Sequence, residues 1–324
     1  MKKIKWFLMF VLSFYSYWGI AQETKPLKKF TSLEVGETIH IILKYAKNPS
    51  LEIHGDPAYR SRVRVIQQGR SLILTLKKEL RQTNNHNHKN YLVLNSPVFN
   101  KISLHGYSHL DVDYHSNFGS MLKIVQKGSA TIKGKIQVKR FENEVYGASA
   151  CNLEVLCNRL IVKSLGSGTI DLKTSCQQFN FTNVGSSRCN LSFKAQSGIL
   201  DLDGVGVVQG RMEVSNLKCY NNNTGDLLID VLSSRFDLIQ STMSISKLRG
   251  SAGLFSVQTV FGNVYAKRLA SQVCYVDIAS DASVYLGDTK KLHAIVRPKG
   301  MVYYQGTPHV NVPIEMSSRV KRVQ

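Results

Sequence analysis

Leu160-Ile-Val-Lys-Ser-Leu-Gly-Ser-Gly-Thr-Ile-Asp-Leu172 and Phe179-Asn-Phe-Thr-Asn-Val-Gly-Ser-Ser-Arg-Cys-Asn-Leu191 are one pattern written twice, 19 residues apart. In each, apolar and polar residues alternate, a small-residue corner interrupts them, and alternation resumes. Period-two alternation marks a strand with one buried face, and glycine supplies the backbone freedom that a tight corner needs. The unit also occurs in Ile102-Ser-Leu-His-Gly-Tyr-Ser-His-Leu-Asp-Val112 and Leu122-Lys-Ile-Val-Gln-Lys-Gly-Ser-Ala-Thr-Ile132. Its glycines fall at Gly106, Gly128, Gly147, Gly166, Gly185 and Gly204, in steps of 22, 19, 19, 19 and 19 residues.

Counting from these glycines gives two further columns. Four residues on stand Leu110, Ile132, Cys151, Ile170, Cys189 and Val208; six on stand Val112, Gly134, Leu153, Leu172, Leu191 and Gly210. Stacked coils place equivalent residues above one another, so these columns read as ladders facing a narrow core. The period predicts an all-β chain wound as a parallel β-helix or related solenoid, each coil buried on its neighbours. It is too short for helical repeats of about 34 residues, and the Leu and Asn columns of a leucine-rich repeat are absent. The pattern blurs between 210 and 260, then returns in Gly262-Asn-Val-Tyr265, Ala282-Ser-Val-Tyr285 and Gly300-Met-Val-Tyr-Tyr304. Tyr265, Tyr285 and Tyr303 therefore predict an aromatic ladder. Packing between coils explains it, with a sugar-stacking face as the alternative.

The coils span 91–308. Before them, residues 30–80 hold short strands between turn signals, among them Gly55-Asp-Pro57, and read as a strand-rich cap over the open end of the stack. Residues 81–90 form a polar linker, and 309–324 are a tail without a repeat, expected to pack along an edge or stay disordered. Residues 1–22 read as a secretory signal peptide with its cleavage junction. Lys2, Lys3 and Lys5 precede an apolar run, and Gly19 and Ala21 supply the small residues at −3 and −1, so the cut falls before Gln22. No cysteine lies near the cut, which argues against a lipoprotein, and no second membrane span follows. The expected location is the periplasm or cell surface.

The full chain carries a formal charge of +20; without the three leader lysines this becomes 20 − 3 = +17. Such a surplus favours encounter with anionic partners, which for an exported protein means an anionic glycan, lipopolysaccharide or another envelope component. No motif for specific nucleic-acid recognition is present. The candidate anionic-ligand surface is Arg60, Arg62, Arg64 and Lys77 of the cap. A solenoid polysaccharide lyase would need clustered carboxylates, yet the candidates Asp171, Asp201 and Asp203 sit singly on outward strand positions, so no catalytic residue is assigned. His86 and His88 lie in the polar linker and read as solvated. His105, His109 and His115 read as exposed strand and corner residues. No metal or cofactor is expected, since no Cys/His spacing suggests zinc.

Six cysteines in an exported chain invite disulfides. Cys151 and Cys189 occupy one inward column two coils apart, about 9.6 Å at a strand spacing of about 4.8 Å, which is beyond bonding reach; they read as small core hydrophobes. Cys157 and Cys176 each stand ten residues after their glycine, one coil apart, and form the possible disulfide. Cys219 and Cys274 have no evident partner.

The opening Phe30-Thr-Ser-Leu-Glu-Val-Gly36, the strand Leu51-Glu-Ile-His-Gly-Asp56, the corner Leu165-Gly-Ser-Gly-Thr-Ile170 and the closing Val302-Tyr-Tyr-Gln-Gly-Thr-Pro308 together resemble the head GIN domain family of auto-transporter adhesins, common in Bacteroidota. The likeness runs from about residue 30 to 308, so residues 23–308 are expected to form a single domain. It implies a right-handed β-helix, exported, acting as an adhesin or binding module without established catalytic residues. Family corners are acidic, whereas His109, Thr169 and Arg188 stand at corners here, which separates this chain from any role that depends on acidic corners.

Overall fold

The computed structural model describes residues 22–36, 38–77, 90–97, 100–113 and 118–323. The expected signal peptide before Gln22, the pair His86 and His88, and His115 lie outside them.

The chain is a parallel β-solenoid of about 11 turns. Most coils are one long bent strand, such as Thr131–Gly147, Ala150–Gly166, Arg188–Gly204 and Val207–Asn223. Each contributes to two sheets. One sheet stacks 131–138 on 150–157, then on 169–175 and 188–195; the other stacks 140–147 on 159–166, 178–185 and 197–204. Both predicted inward columns are present as register partners. The first runs Leu110, Ile132, Cys151, Ile170, Cys189, Val208, and the second runs Val112, Gly134, Leu153, Leu172, Leu191, Gly210. The stack continues without interruption through 210–260, in Asp226–Gln240 and Ile245–Thr259. The pattern blurs there because Asn223 takes the next place in the glycine column, in register with Gly204.

Two features force glycine into that column. Gly147 and Gly185 have φ of 70° and 118°, and a Cβ at either would sit 2.7 or 2.5 Å from the carbonyl oxygen of the glycine one coil below. The corners approach backbone to backbone, where a side chain has no room. Buried polar side chains brace the same corner from inside. Gln126 donates to the carbonyls of Ala130 and Ala150 (3.2 and 2.8 Å), and Gln240 repeats this with Ser244 and Phe261 (3.2 and 3.1 Å). Ser149 and Ser187 donate to Gly128 and Gly166 (3.2 and 3.0 Å). At Gly128, Ala130, Gly166 and Ser244 the side chain is a second donor to a carbonyl that already accepts a backbone N–H from the next coil, so these bonds tie successive corners together. Aromatic pairs fill the core between the sheets, Phe236 on Phe255 with centroids 5.4 Å apart and Phe179 against Phe193 at 4.7 Å.

Both ends are closed. At the start, Ser32–Val35 and His40–Tyr45 are parallel to the coil above and form the first turn of the stack. The covering strands carry each sheet outward: Tyr91–Ser96 pairs parallel with His40–Tyr45, and Ser50–His54 and Gln22–Pro26 follow it antiparallel; Ser71–Leu76 pairs parallel with Ser32–Val35, and Val63–Gln68 follows it antiparallel. Gly55-Asp-Pro57, expected as a turn, instead starts the short helix Pro57–Arg62. Asp56 caps it by accepting from the Tyr59 N–H at 2.7 Å, and Pro57 stands where a free N–H is not needed. At the other end the tail after Pro308 is ordered. His309–Asn311 pairs with Thr289–Val296 and Val320–Arg322 with Met301–Tyr304, adding a last rung to each sheet. Among the described residues no helix is long and apolar enough to cross a membrane.

Candidate ligand-binding face

Alternation that turns apolar residues inward turns their neighbours out, and register stacks those neighbours into outward columns. On the sheet containing 131–138, one column runs Asp111, Lys133, Asn152, Asp171, Asn190, Gln209, Leu228, Lys247, Tyr265, Tyr285, Tyr303, Lys321. Its middle is a ladder of hydrogen bonds: Gln209 donates to Asn190 at 2.6 Å and Asn190 to Asp171 at 2.5 Å. Its end is the predicted tyrosine ladder. Tyr265, Tyr285 and Tyr303 stack with centroids 4.9 Å apart and interplanar angles of 8° and 11°. Rings stacked along the axis cover the faces that lie between them, which sugars would otherwise pack on. Packing between coils is the role this geometry serves, and Lys267 adds a cation over the Tyr285 ring at 5.6 Å.

Two residues along each strand a second column runs Lys135, Glu154, Lys173, Ser192, Arg211, Asp230, Arg249 and, across a shift of register that places it three residues beyond Tyr265, Arg268. It holds five cations and two carboxylates. Glu154 lies 3.3 Å from Lys135 and 3.5 Å from Lys173, and those two lysines hold its carboxyl below the ordinary range. Arg249 pairs with Asp230 at 2.6 Å, and Arg211 with Glu213 of the neighbouring column at 2.7 Å. The four cations of these pairs keep 59 to 67% of their side-chain surface exposed. Between this column and the next lies a groove of about 440 Å³, edged by Lys135, Lys173, Lys194 and Arg211 and backed by Ile136, Val155 and Phe193. The interval of 19 that locates the inward ladders also locates this column when counted from Lys135, a signal available in the sequence.

The residues singled out from sequence are distributed differently. Arg60 and Arg62 lie on the short helix, Arg64 on Val63–Gln68, and Lys77 beside Arg62 through the Lys77 N–H to Arg62 carbonyl bond of 2.9 Å. One antiparallel flap of the cap therefore carries all four, apart from the groove. Asp171 belongs to the grooved sheet, while Asp201 and Asp203 face out of the opposite sheet, partnered by Tyr220 and Asn222. The structure thus separates the three carboxylates a lyase would have to gather. His105 and His109 fall on opposite sides of a tight corner. His105 reaches Glu34 at 3.7 Å, and His109 contacts Asp111 at 2.7 Å. Burial lowers the His109 imidazole, an effect that Asp111 only partly offsets.

All six cysteines are free thiols. Burial pushes Cys151 and Cys189 up to about 12 and raises Cys219 and Cys274 as well, so these four behave as inert core residues. Cys157 and Cys176 face each other on adjacent coils; the contact with Cys176, then burial, raises Cys157.

A parallel solenoid that presents an extended grooved face, rather than a closed pocket, defines a repeat-built scaffold. The chain belongs to the family described as "Putative auto-transporter adhesin, head GIN domain", whose model matches residues 29–192 and 197–308; the resemblance read from the sequence holds. Among solved structures it is similar to a putative adhesin from Parabacteroides distasonis, at 13% identity over 85% of this chain and 96% of that one, with a TM-score of 0.49. A putative adhesin from Parabacteroides merdae matches at 15% identity over 88% and 95%, with a TM-score of 0.44. One from Bacteroides fragilis matches at 16% identity over 94% of each chain, with a TM-score of 0.34. No curated protein matches the chain.

Proposed function

We propose that the protein is exported and works without catalysis, holding an anionic glycan, lipopolysaccharide or another polyanionic envelope component along its grooved sheet. The observation that carries this reading is the column Lys135, Lys173, Arg211, Arg249 and Arg268, five exposed cations against Glu154 and Asp230. Coils repeat about every 4.8 Å, so a linear polyanion lying along the axis meets a cation at most rungs. Each contact is weak at a solvated surface. Their sum over an extended ligand gives affinity, and the surplus charge gives long-range attraction. The cap cluster Arg60, Arg62, Arg64 and Lys77 is proposed as a second anionic-ligand surface. Membership of a family described as adhesins supports the binding role.

The test is a glycan and polyanion array on residues 23–324, repeated across salt and assayed for cleavage products. The expected result is selective binding that survives moderate salt and falls at least tenfold in the double variant Lys173→Glu, Arg211→Glu. The pair Arg64→Glu, Lys77→Glu reads the cap surface separately. Uniform binding erased by salt would reduce the charge to a solvated surface, and released unsaturated products would make the protein an enzyme.

A further inference from the structure

One cluster at the first coils of the same sheet is unused by the groove. His40 and His109 are register partners on adjacent coils, and Thr131 follows in the third. Asp111 is two residues beyond His109 and so projects from the same side of the sheet. His40 Nε2 lies 3.1 Å from Asp111 Oδ2, and His109 Nε2 lies 2.7 Å from Asp111 Oδ1. One donor atom from each residue falls within 4.8 Å of the other two. Corners of a tetrahedron with metal–ligand distances of about 2.0–2.1 Å stand about 3.3 Å apart, so small side-chain movements bring the three to one centre.

Two further observations point to a cation. Asp111 Oδ1 is buried against His109 Nε2 at 2.7 Å, in a contact poorly aligned for a hydrogen bond. His109 also engages Thr131 Oγ1 through Nδ1, leaving Nε2 to face the carboxylate. That is how metal-binding histidines are held, with the second ring nitrogen fixed by an outer partner. The competing explanation is Lys133, whose Nζ lies 3.3 Å from Asp111 Oδ2 but whose side chain is 57% exposed and able to swing away.

We propose that His40, His109 and Asp111 bind a divalent ion of the zinc type, with the remaining coordination left to water. Two imidazoles and a carboxylate suit such an ion better than magnesium or calcium, which prefer all-oxygen sites. The ion joins the first coil, through His40, to the second, through His109 and Asp111, and fastens the capped end of the stack to the repeat.

The experiment titrates zinc into chelator-stripped residues 23–324 by calorimetry and follows thermal unfolding with zinc and with magnesium. The expected result is one ion per chain and a rise of several degrees in the unfolding midpoint with zinc alone. His40→Ala and His109→Ala should each weaken uptake at least tenfold while keeping the strand spectrum of the parent. Thr131→Val should weaken it about 10- to 100-fold, and Lys133→Ala should bind at least as tightly. Undiminished uptake in the two histidine variants would place the ion elsewhere. Uptake only after Lys133 is removed would make Lys133 the resident cation, and no uptake in any form would remove the site; each of these overturns the proposal.

Discussion

The two corners of each coil close by different physics. At the tight corner the backbones of Gly128, Gly147, Gly166, Gly185 and Gly204 lie against one another, and a side chain on one would strike the carbonyl of the next. At the opposite corner, residues 139–140, 158–159 and 177–178 are two exposed positions in a row, between an inward residue such as Val138 and another such as Phe141. The alternation slips by one residue there, and no glycine is needed. One corner is dictated by exclusion, the other by a change of phase that almost any polar pair supports.

The sharpest way to break this contrast is substitution. Gly185→Val, at φ 118° with its new Cβ 2.5 Å from the Gly166 oxygen, should cost about 3 kcal/mol or more in urea unfolding. Arg159→Ala, at the open corner, should stay within about 0.5 kcal/mol. Equal losses would show that both corners are dictated alike. The open corner also brings Cys157 and Cys176 together, which supports the bond proposed between them. A mild oxidant should join them, so that thiol titration of the unfolded oxidised chain finds 6 − 2 = 4 thiols, with a gain of at most about 3 kcal/mol for the loop closed. Six thiols would mean that the corner is too rigid for the bond.

The smallest effect lies on the sheet between the corners. Lys123 hydrogen-bonds Glu144 at 2.7 Å on the next coil and holds its carboxyl below the ordinary 4.5. A carboxyl lowered in the folded state stabilises above the unfolded value and loses that contribution as pH falls through the folded one. Unfolding free energy should therefore drop as pH falls below 4.5, by less than about 1 kcal/mol for a partly exposed pair. Lys123→Ala should flatten that part of the profile; an unchanged slope would assign it to other carboxylates.

The tight corner was legible in the sequence because exclusion leaves a single residue type at a fixed interval. The inward ladders followed from it by counting. The stretch 210–260 lost its signal when Asn223 replaced the glycine, although the coils continued. The open corner left no mark, since Lys139-Arg140 and Gln177-Gln178 share only polarity. Cap boundaries were misplaced because Ser32–Val35 and His40–Tyr45 join the stack through strands far along the chain. His40 stayed hidden for that reason, its partner His109 coming 69 residues later and before the 19-residue interval settles. The charged column was readable, but only by applying the core's interval to polar positions.

Because Gly147, Gly166, Gly185 and Gly204 are direct register partners, the molecule's length is quantised. Excising or duplicating the 19 residues between two of these glycines returns every surviving side chain to its own column, whereas a change of 18 or 20 has to be absorbed at a corner, as it is between Tyr265, Tyr285 and Tyr303. Lengthening the protein is thus a matter of whole coils, and each added coil lengthens the grooved face by one rung without redesigning either end.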